Sequence, residues 1–160
     1  MQSCTRALFT LLAIVYGASP AGMQAPPPTI TSAHASVAIK GHPLAGSFTY
    51  DKVGDLTVWG AGGGFLDMTS ERGDSFQYSP LARPGKYKTT VSQPLVVQIG
   101  VGPQVKVVAS AAGECTVTLT RADDTGVAGS FECGHVTVMG PEKKMLGAID
   151  QMSGSFSASR

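Results

Sequence analysis

The fold of this chain is decided by residues 115–133, which read CTVTLTR, then ADDTG, then VAGSFEC. Apolar and polar residues alternate on both sides of the central ADDTG segment, as in two antiparallel strands that bury one face. We expect Arg121 to pair with Val127 across this five-residue turn. In that register Cys115 faces Cys133 at the open end of the hairpin, where the two form a disulfide; a pair of free buried thiols is the alternative. A slip of one residue would set the apolar row of one strand against the polar row of the other.

The same register predicts the core face of the hairpin. Val117 then faces Phe131, and Leu119 faces Gly129. All large apolar side chains of the hairpin therefore share one face, and its threonines lie on the other.

The tripeptide Gly-Ser-Phe recurs at 46–48, 129–131 and 154–156. We interpret it as a strand type with an inward Phe, an outward Ser and a Gly that allows a neighbour to approach closely. A repeated ligand site is the alternative. The phenylalanines predicted to lie in the core are Phe48, Phe131 and Phe156.

The N-terminus has the features of a signal peptide. Arg6 supplies a positive charge, residues 7–15 form an apolar run, and small residues at 17–21 permit cleavage, which we place after Ala21. The apolar run is shorter than the roughly 20 residues that cross a bilayer, which argues against a retained membrane anchor. We predict a signal peptide at 1–21, a secreted or periplasmic location, and no membrane span after cleavage.

Cysteine content and charge narrow the possible partners. Cys4 leaves with the signal peptide, so the exported chain keeps an even pair of cysteines, which suits an oxidising compartment. Loss of Arg6 lowers the number of basic residues from 12 to 11, which equals the number of acidic residues. A net charge near zero gives no basic face for nucleic acid. We expect no nucleic-acid partner and no cofactor.

From residue 34 onward, short runs of alternating residues are separated by turn residues. About ten strands at this spacing are typical of a β-sandwich or a barrel. We predict an all-β, antiparallel β-sandwich at 34–160, with a small β-barrel as the alternative. Residues 22–33 are polar and proline-rich, which predicts a disordered lead.

The sequence lacks the usual motifs for catalysis, metals and phosphate. The glycine-rich segment 60–64 is followed by a strand-like FLDM instead of a helix, so it does not match a phosphate loop. No serine lies in a Gly-x-Ser-x-Gly elbow, and no two histidines have metal-ligand spacing. We predict no catalytic residues and no metal ligands.

Aromatic residues gather in the middle third of the chain. We predict a binding surface there, because Trp and Tyr offer stiff, amphipathic contact area; the alternative is that these rings fill the core. The candidate residues are Trp59, Phe65, Tyr78, Arg83 and Tyr87. The expected partner is an unknown protein or glycan.

The leading hypothesis is a non-catalytic β domain that binds a ligand at or outside the bacterial envelope. A small secreted hydrolase or carbohydrate-active enzyme is the alternative, since glycoside hydrolysis needs carboxylates at a defined separation. Its candidate residues are His42, Asp67, Glu71 and Asp74. A third possibility is a protease inhibitor that presents the loop 79–86.

Three segments carry a resemblance to known proteins: CTVTLT at 115–120, VAGSFEC at 127–133 and SGSFSA at 153–158. In these segments the chain resembles small exported bacterial proteins of uncharacterised function. The resemblance implies that the segments are closing strands of a β-sandwich. It implies no activity and no catalytic residues.

Overall fold

The computed structural model describes residues 29–60, 63–81, 83–100, 106–109 and 113–160. Within these ranges the elements are strands, apart from a short 3-10 helix at Pro141–Lys143. The strands are β1 (Ser32–Lys40), β2 (Gly46–Tyr50), β3 (Lys52–Val53), β4 (Val58–Gly60), β5 (Gly63–Thr69), β6 (Ser75–Tyr78), β7 (Gly85–Lys88), β8 (Leu95–Ile99), β9 (Lys106–Ala109), β10 (Cys115–Asp123), β11 (Gly126–Met139) and β12 (Met145–Ser159).

The long hairpin of β11 and β12 joins two antiparallel sheets. In the first sheet, β11 pairs with β10 and β10 with β7, while β12 pairs with β1 and β1 with β2. In the second sheet, the far half of β11 pairs with β9, and the order continues through β8, β6 and β5 to β3, with β4 added to β5. The two ends of this strand order, β2 and β3, are not paired in the described chain, so the sheets do not close into a barrel. The predicted antiparallel β-sandwich is confirmed.

The core lies between the two sheets and is centred on Phe76 of β6. The centroid of its ring lies 5.7 Å from that of Phe131 on β11 and 5.8 Å from that of Phe156 on β12. The ring of Tyr50 on β2 lies 6.2 Å away. These contacts join β6 of the second sheet to three strands of the first, as side chains do between the layers of a sandwich.

Four of the five predicted core residues are buried: Val117, Leu119, Phe131 and Phe156. Phe48 is only half-buried. This prediction is wrong because β2 pairs on one side only, with β1, and leaves its second side open.

The hairpin register is confirmed at its open end and wrong near its turn. Cys115 pairs with Cys133 and forms the predicted disulfide. The register then shifts by one residue between Leu119 and Arg121, so that Arg121 faces Ala128 instead of Val127. This irregularity keeps both Leu119 and Ala122 on the buried face. The turn is thereby shortened to the two residues at 124–125.

In two of the three Gly-Ser-Phe repeats the glycine faces a phenylalanine of a neighbouring strand. Gly129 lies opposite Phe156, and Gly154 lies opposite Phe131. A Cβ at residue 129 would lie 3.1 Å from Cζ of Phe156, and one at residue 154 would lie 2.7 Å from Cζ of Phe131. The serines of the repeats are exposed or half-exposed to solvent. The repeats at 129–131 and 154–156 are therefore packing positions, as the strand-type interpretation predicts. The repeat at 46–48 differs, because Gly46 faces Ile39 and Phe48 is only half-buried.

The folded domain begins before residue 34. Ile30 is buried, and the N–H of Thr31 donates a hydrogen bond of 2.9 Å to the C=O of Ser159. The prediction of a disordered lead at 22–33 is therefore wrong for its last residues, because β1 extends further along β12 than the sequence indicates. The predicted signal peptide at 1–21 and the rest of the lead lie outside the described residues.

Candidate functional site

Two residues of the predicted aromatic surface are buried. Trp59 and Tyr78 expose only 2% and 3% of their surface. The indole Nε1 of Trp59 donates a hydrogen bond of 2.6 Å to the backbone C=O of Asp123, which holds β4 against the β10–β11 turn. The prediction of a binding surface is wrong for these two residues, because their rings are part of the core.

The other members of that predicted surface do not form a flat aromatic patch. Phe65 and Tyr87 are half-buried, and Arg83 is exposed. The hydroxyl of Tyr87 donates a hydrogen bond of 2.9 Å to the C=O of Arg83, so this ring braces the segment before β7. The loop 79–86 of the inhibitor hypothesis includes residue 82, which lies outside the described residues.

Two of the predicted hydrolase residues form local structural hydrogen bonds. Asp67 is buried on β5, and its Oδ1 accepts a hydrogen bond of 3.2 Å from Nε2 of Gln77. Nδ1 of His42 accepts one of 3.1 Å from the N–H of Leu44 in the turn after β1. Both side chains therefore have a structural role that accounts for their position.

The other two, Glu71 and Asp74, lie in the turn between β5 and β6. Oγ of Ser70 accepts hydrogen bonds of 3.2 Å from the backbone N–H of Arg72 and of Asp74. Asp74 is buried, and its Oδ1 accepts a hydrogen bond of 2.7 Å from the N–H of Gly100. These bonds fix the turn while Glu71 and Arg72 remain exposed to solvent.

This turn lines a cleft of about 630 Å³ together with β2, and we name it the edge cleft. Successive side chains of a strand point to opposite faces, so Ser47 and Thr49 of β2 point outward while Phe48 points inward. The residues that line the edge cleft are Ser47, Thr49, Asp51, Lys52, Ser70, Glu71 and Arg72. The edge cleft thus combines hydroxyls, carboxylates and two cationic groups.

Asp51 is tied to β1 as well as lining the edge cleft. Its Oδ1 contacts Nδ1 of His34, and both side chains are more than half exposed. The contact joins the chain that crosses from β2 to β3 with the start of β1. It places the His34 imidazole against the Asp51 carboxylate, which lines the cleft.

A second cavity, the end pocket, adjoins the inner face of β2. It has a volume of about 270 Å³ and is lined by Phe48, Arg72, Asp74, Ile99 and Gly100. Phe48 and Ile99 come from opposite sheets and provide apolar walls. Arg72 lines both cavities; its Nε lies 3.9 Å from Oδ2 of Asp74, and its side chain is 80% exposed.

A concave region on the outer face of the first sheet offers a different chemistry. This sheet-face groove has a volume of about 400 Å³, and hydroxyl groups dominate its lining. Thr118 of β10 and Ser130 of β11 lie side by side there, because they are register partners. Lys86 and Glu132 add one cationic and one acidic side chain to this lining, and Phe131 and Gly154 complete it.

Comparisons with known proteins give no relative. No protein-family model matches the chain, and neither do any curated protein or solved structure. Among the described residues, no group of three or more His, Cys, Asp or Glu side chains is arranged to hold a metal ion. A search of the same residues finds no helix with the length and apolar character needed to cross a membrane.

Glu71 is among the candidate residues predicted from the sequence, whereas the residues that surround it in the edge cleft are not. The alternation Ser47-Phe48-Thr49 signals an outward polar face on β2. No local pattern indicates that the turn at 70–74 meets this face, since the two segments lie more than 20 residues apart.

Proposed function

We propose that this protein is a non-catalytic binding domain that acts outside the cytoplasm, and that its ligand is a glycan held in the edge cleft. The observation that carries the proposal is the lining of that cleft. Ser47, Thr49 and Ser70 offer hydroxyls, while Glu71 and Arg72 offer an acceptor and a donor within the same cavity. Sugar hydroxyls both donate and accept hydrogen bonds, so a mixed lining of this kind suits them.

The size of the edge cleft also supports a ligand site. Small-molecule sites have volumes of roughly 300–1,000 Å³, and the edge cleft has about 630 Å³. The cleft lies along β2, an edge strand that pairs only with β1. Its two exposed cationic groups are balanced by two carboxylates, so the cleft favours a ligand without a large net charge.

A binding role is favoured over catalysis by the state of the buried carboxylates. Asp67 and Asp74 accept hydrogen bonds from Gln77 and Gly100 and are thereby engaged in holding the fold. A general acid or base needs access to the proton that it transfers. A location outside the cytoplasm is supported by the Cys115–Cys133 disulfide, since such bonds persist in oxidising compartments.

A glycoside hydrolase is the second candidate function, because Asp51 and Glu71 place two solvent-accessible carboxylates around one cleft. Hydrolysis of a glycosidic bond uses such a pair, one as acid and the other as nucleophile or base. Release of reducing ends from a bound glycan, abolished in Glu71→Gln, would establish the enzyme and reject the binding domain.

The proposed function is tested by screening the full chain, produced with export to an oxidising compartment, against a glycan array. We expect Arg72→Ala to weaken binding of the selected glycan about tenfold or more, in line with loss of a charge-assisted hydrogen bond. The turn keeps its shape in this variant, because Arg72 contributes its backbone N–H to Ser70.

Matched controls separate the edge cleft from the rest of the surface. Thr118→Ala lies in the sheet-face groove, and Arg83→Ala lies in the region predicted from the sequence. Both should bind like the wild type. No bound glycan in the array, or equal losses in all three variants, would reject the proposal.

A further inference from the structure

We propose that this protein forms a two-fold symmetric dimer, in which β2 of one copy pairs in antiparallel orientation with β2 of a second copy. The inference goes beyond the proposed function and does not rest on it. It starts from the third Gly-Ser-Phe repeat, at 46–48. This repeat pairs with β1 on one side and with no strand of the described chain on the other.

The other two Gly-Ser-Phe repeats pair with each other. In the β11–β12 hairpin, the repeats at 129–131 and 154–156 run antiparallel, with Ser130 opposite Ser155 and each glycine opposite a phenylalanine. Each phenylalanine ring thereby closes over the glycine of the neighbouring strand. The tripeptide is therefore self-complementary, because a second Gly-Ser-Phe that runs in the opposite direction fits it.

The glycine of the third repeat has no such packing role within one copy. Gly46 is exposed, whereas Gly129 and Gly154 are half-buried. A Cβ at residue 46 would meet its nearest atoms in the described chain at 3.7 Å, and the φ of Gly46 is not in the left-handed region. At residues 129 and 154 a Cβ would meet a backbone oxygen at 2.6 and 2.0 Å. A Phe48 ring of a second copy, placed over Gly46, would give this glycine the role of the other two.

The edge of β2 also lacks the features that keep edge strands from pairing. Such edges are usually protected by charged side chains, by proline, by bulges or by short length. At the opposite edge of the first sheet, β7 carries Lys86 and Lys88. At the end of the second sheet, β3 has only two residues, one of them Lys52. In contrast, β2 reads GSFTY and pairs with β1 without a register shift.

The side of β2 away from β1 borders open space. The edge cleft adjoins its outer face and the end pocket its inner face. Arg72 lines both cavities, so we place it beside the open edge of β2, and its side chain is 80% exposed. A second strand would therefore displace solvent and this one exposed side chain. Around the cleft, Asp51 and Glu71 balance Lys52 and Arg72, so two copies approach without net repulsion.

The pairing follows the register of the two internal repeats. Ser47 lies opposite Ser47 of the second copy, and Phe48 lies opposite Gly46 of the second copy. Because side chains alternate between faces, the outer and inner faces of the two sheets are then continuous. The half-buried Phe48 ring gains apolar contact in this arrangement. Since both copies use the same strand, the interface closes on itself and assembly stops at two.

The test measures molecular mass against protein concentration by sedimentation velocity, with the full chain exported to an oxidising compartment. An interface of about five residue pairs is small, so we expect a weak dimer with a dissociation constant in roughly the micromolar range. Ser47 and Thr49 also line the edge cleft, so a glycan bound there would compete with the second copy. The measurement is therefore made without glycan.

The decisive variant is Gly46→Ala. It should weaken the dimer about tenfold or more, because each added methyl group occupies the place of the Phe48 ring of the other copy. In dilute solution its melting temperature should equal that of the wild type, since a Cβ there makes only ordinary contact within one copy. Gly134→Ala is the matched control, because a Cβ at this exposed position of β11 meets nothing within 4 Å and lies away from β2. It should dimerise like the wild type.

A cross-linking experiment tests the register. Cysteines at directly opposed positions of antiparallel strands form a disulfide within this fold, as Cys115 and Cys133 do. Ser47→Cys should therefore give a covalent dimer in a glutathione redox buffer. Thr49→Cys is equally exposed on the same strand but faces Ala45 of the second copy, so it should stay uncross-linked.

Several results would overturn the inference. A chain that stays monomeric up to sub-millimolar concentration would reject it, and so would a Gly46→Ala variant that dimerises like the wild type. Equal cross-linking of the two cysteine variants would reject the register on which it depends. A lowered melting temperature of dilute Gly46→Ala would show that the fold of one copy requires this glycine, which would also reject it. The glycan array decides the proposed function separately from all of these.

Discussion

Phe131 and Gly154 are register partners in the β11–β12 hairpin, and the phenylalanine ring occupies the space that a side chain at residue 154 would need. A Cβ there would lie 2.7 Å from Cζ of Phe131 and 2.0 Å from the backbone oxygen of Ser36 on β1. A second pair of the same kind has the glycine on β11 and the phenylalanine on β12, where Gly129 lies opposite Phe156. Glycine is therefore required at both positions, because one core ring and a backbone oxygen of a neighbouring strand close over each of them.

Gly154→Ala should destabilise the protein by about 2–3 kcal/mol or more, because the backbone oxygen of Ser36 cannot yield to the new methyl group. The matched control is Gly134→Ala on β11, where a Cβ meets nothing within 4 Å. That variant should be neutral or slightly stabilising. Urea unfolding followed by the fluorescence of Trp59, the single tryptophan, measures both. Similar losses in the two variants would contradict the packing role of Gly154.

Phe131→Ala should cost about 3–5 kcal/mol, since the ring is buried and stacks on Phe76. Phe48→Ala should cost about 1–2 kcal/mol, because its ring is only half-buried on an edge strand. The order of the two losses is the test, measured by denaturant unfolding. If Phe48→Ala proved the more damaging, the assignment of the core to the central strands would be wrong.

Features that depend on residues close together in the chain could be predicted from the sequence, whereas features that depend on distant strands could not. The Cys115–Cys133 hairpin was predictable because alternation and cysteine position agree within 19 residues. The irregularity after Leu119 was not, because it is set by the burial of Ala122 against other strands. The β12 strand was likewise predicted only in its last part, since its first half is stabilised by pairing with β11.

The candidate site was less predictable than the fold. Trp59 looked like a surface residue by composition, yet its indole is buried and bonded to Asp123, far along the chain. The edge cleft joins β2 to a turn that begins at Ser70, and the end pocket adds Ile99 from a third segment. A cleft assembled from several distant segments leaves no fixed spacing in the sequence by which it could be recognised.

Replacing Cys115 and Cys133 with serine should lower the free energy of unfolding by roughly 3 kcal/mol, the chain-entropy value for a closed loop of this size; the sequence separation is 18 residues. The far-ultraviolet circular dichroism spectrum should remain that of a β protein, because the flanking strands are paired over the rest of their length. Mass mapping of the wild type without reductant should find the two cysteines linked. Two free thiols in exported protein would refute the disulfide.

Asp123 closes the same hairpin at its other end. Its Oδ1 accepts hydrogen bonds of 2.8 Å from the N–H of Thr125 and 3.1 Å from the N–H of Gly126. Hydrogen bonds from the Thr125 hydroxyl and then from its N–H hold the pKa of Asp123 below its usual 3.8. The turn is therefore formed most favourably when this carboxyl is ionised.

Asp123→Ala should lower the free energy of unfolding at neutral pH, and the difference from the wild type should shrink in acid. Because the pKa of Asp123 is lower in the folded than in the unfolded state, its contribution is present above the unfolded-state value and is lost as the pH falls through the folded-state value. Urea unfolding at a series of pH values measures this, with Asp124→Ala as the matched control. Asp124 is exposed in the same turn and accepts no hydrogen bond from the described residues, so its removal should change stability little at any pH. A difference for Asp123→Ala that grew towards acid pH would contradict its role as the ionised cap of the turn.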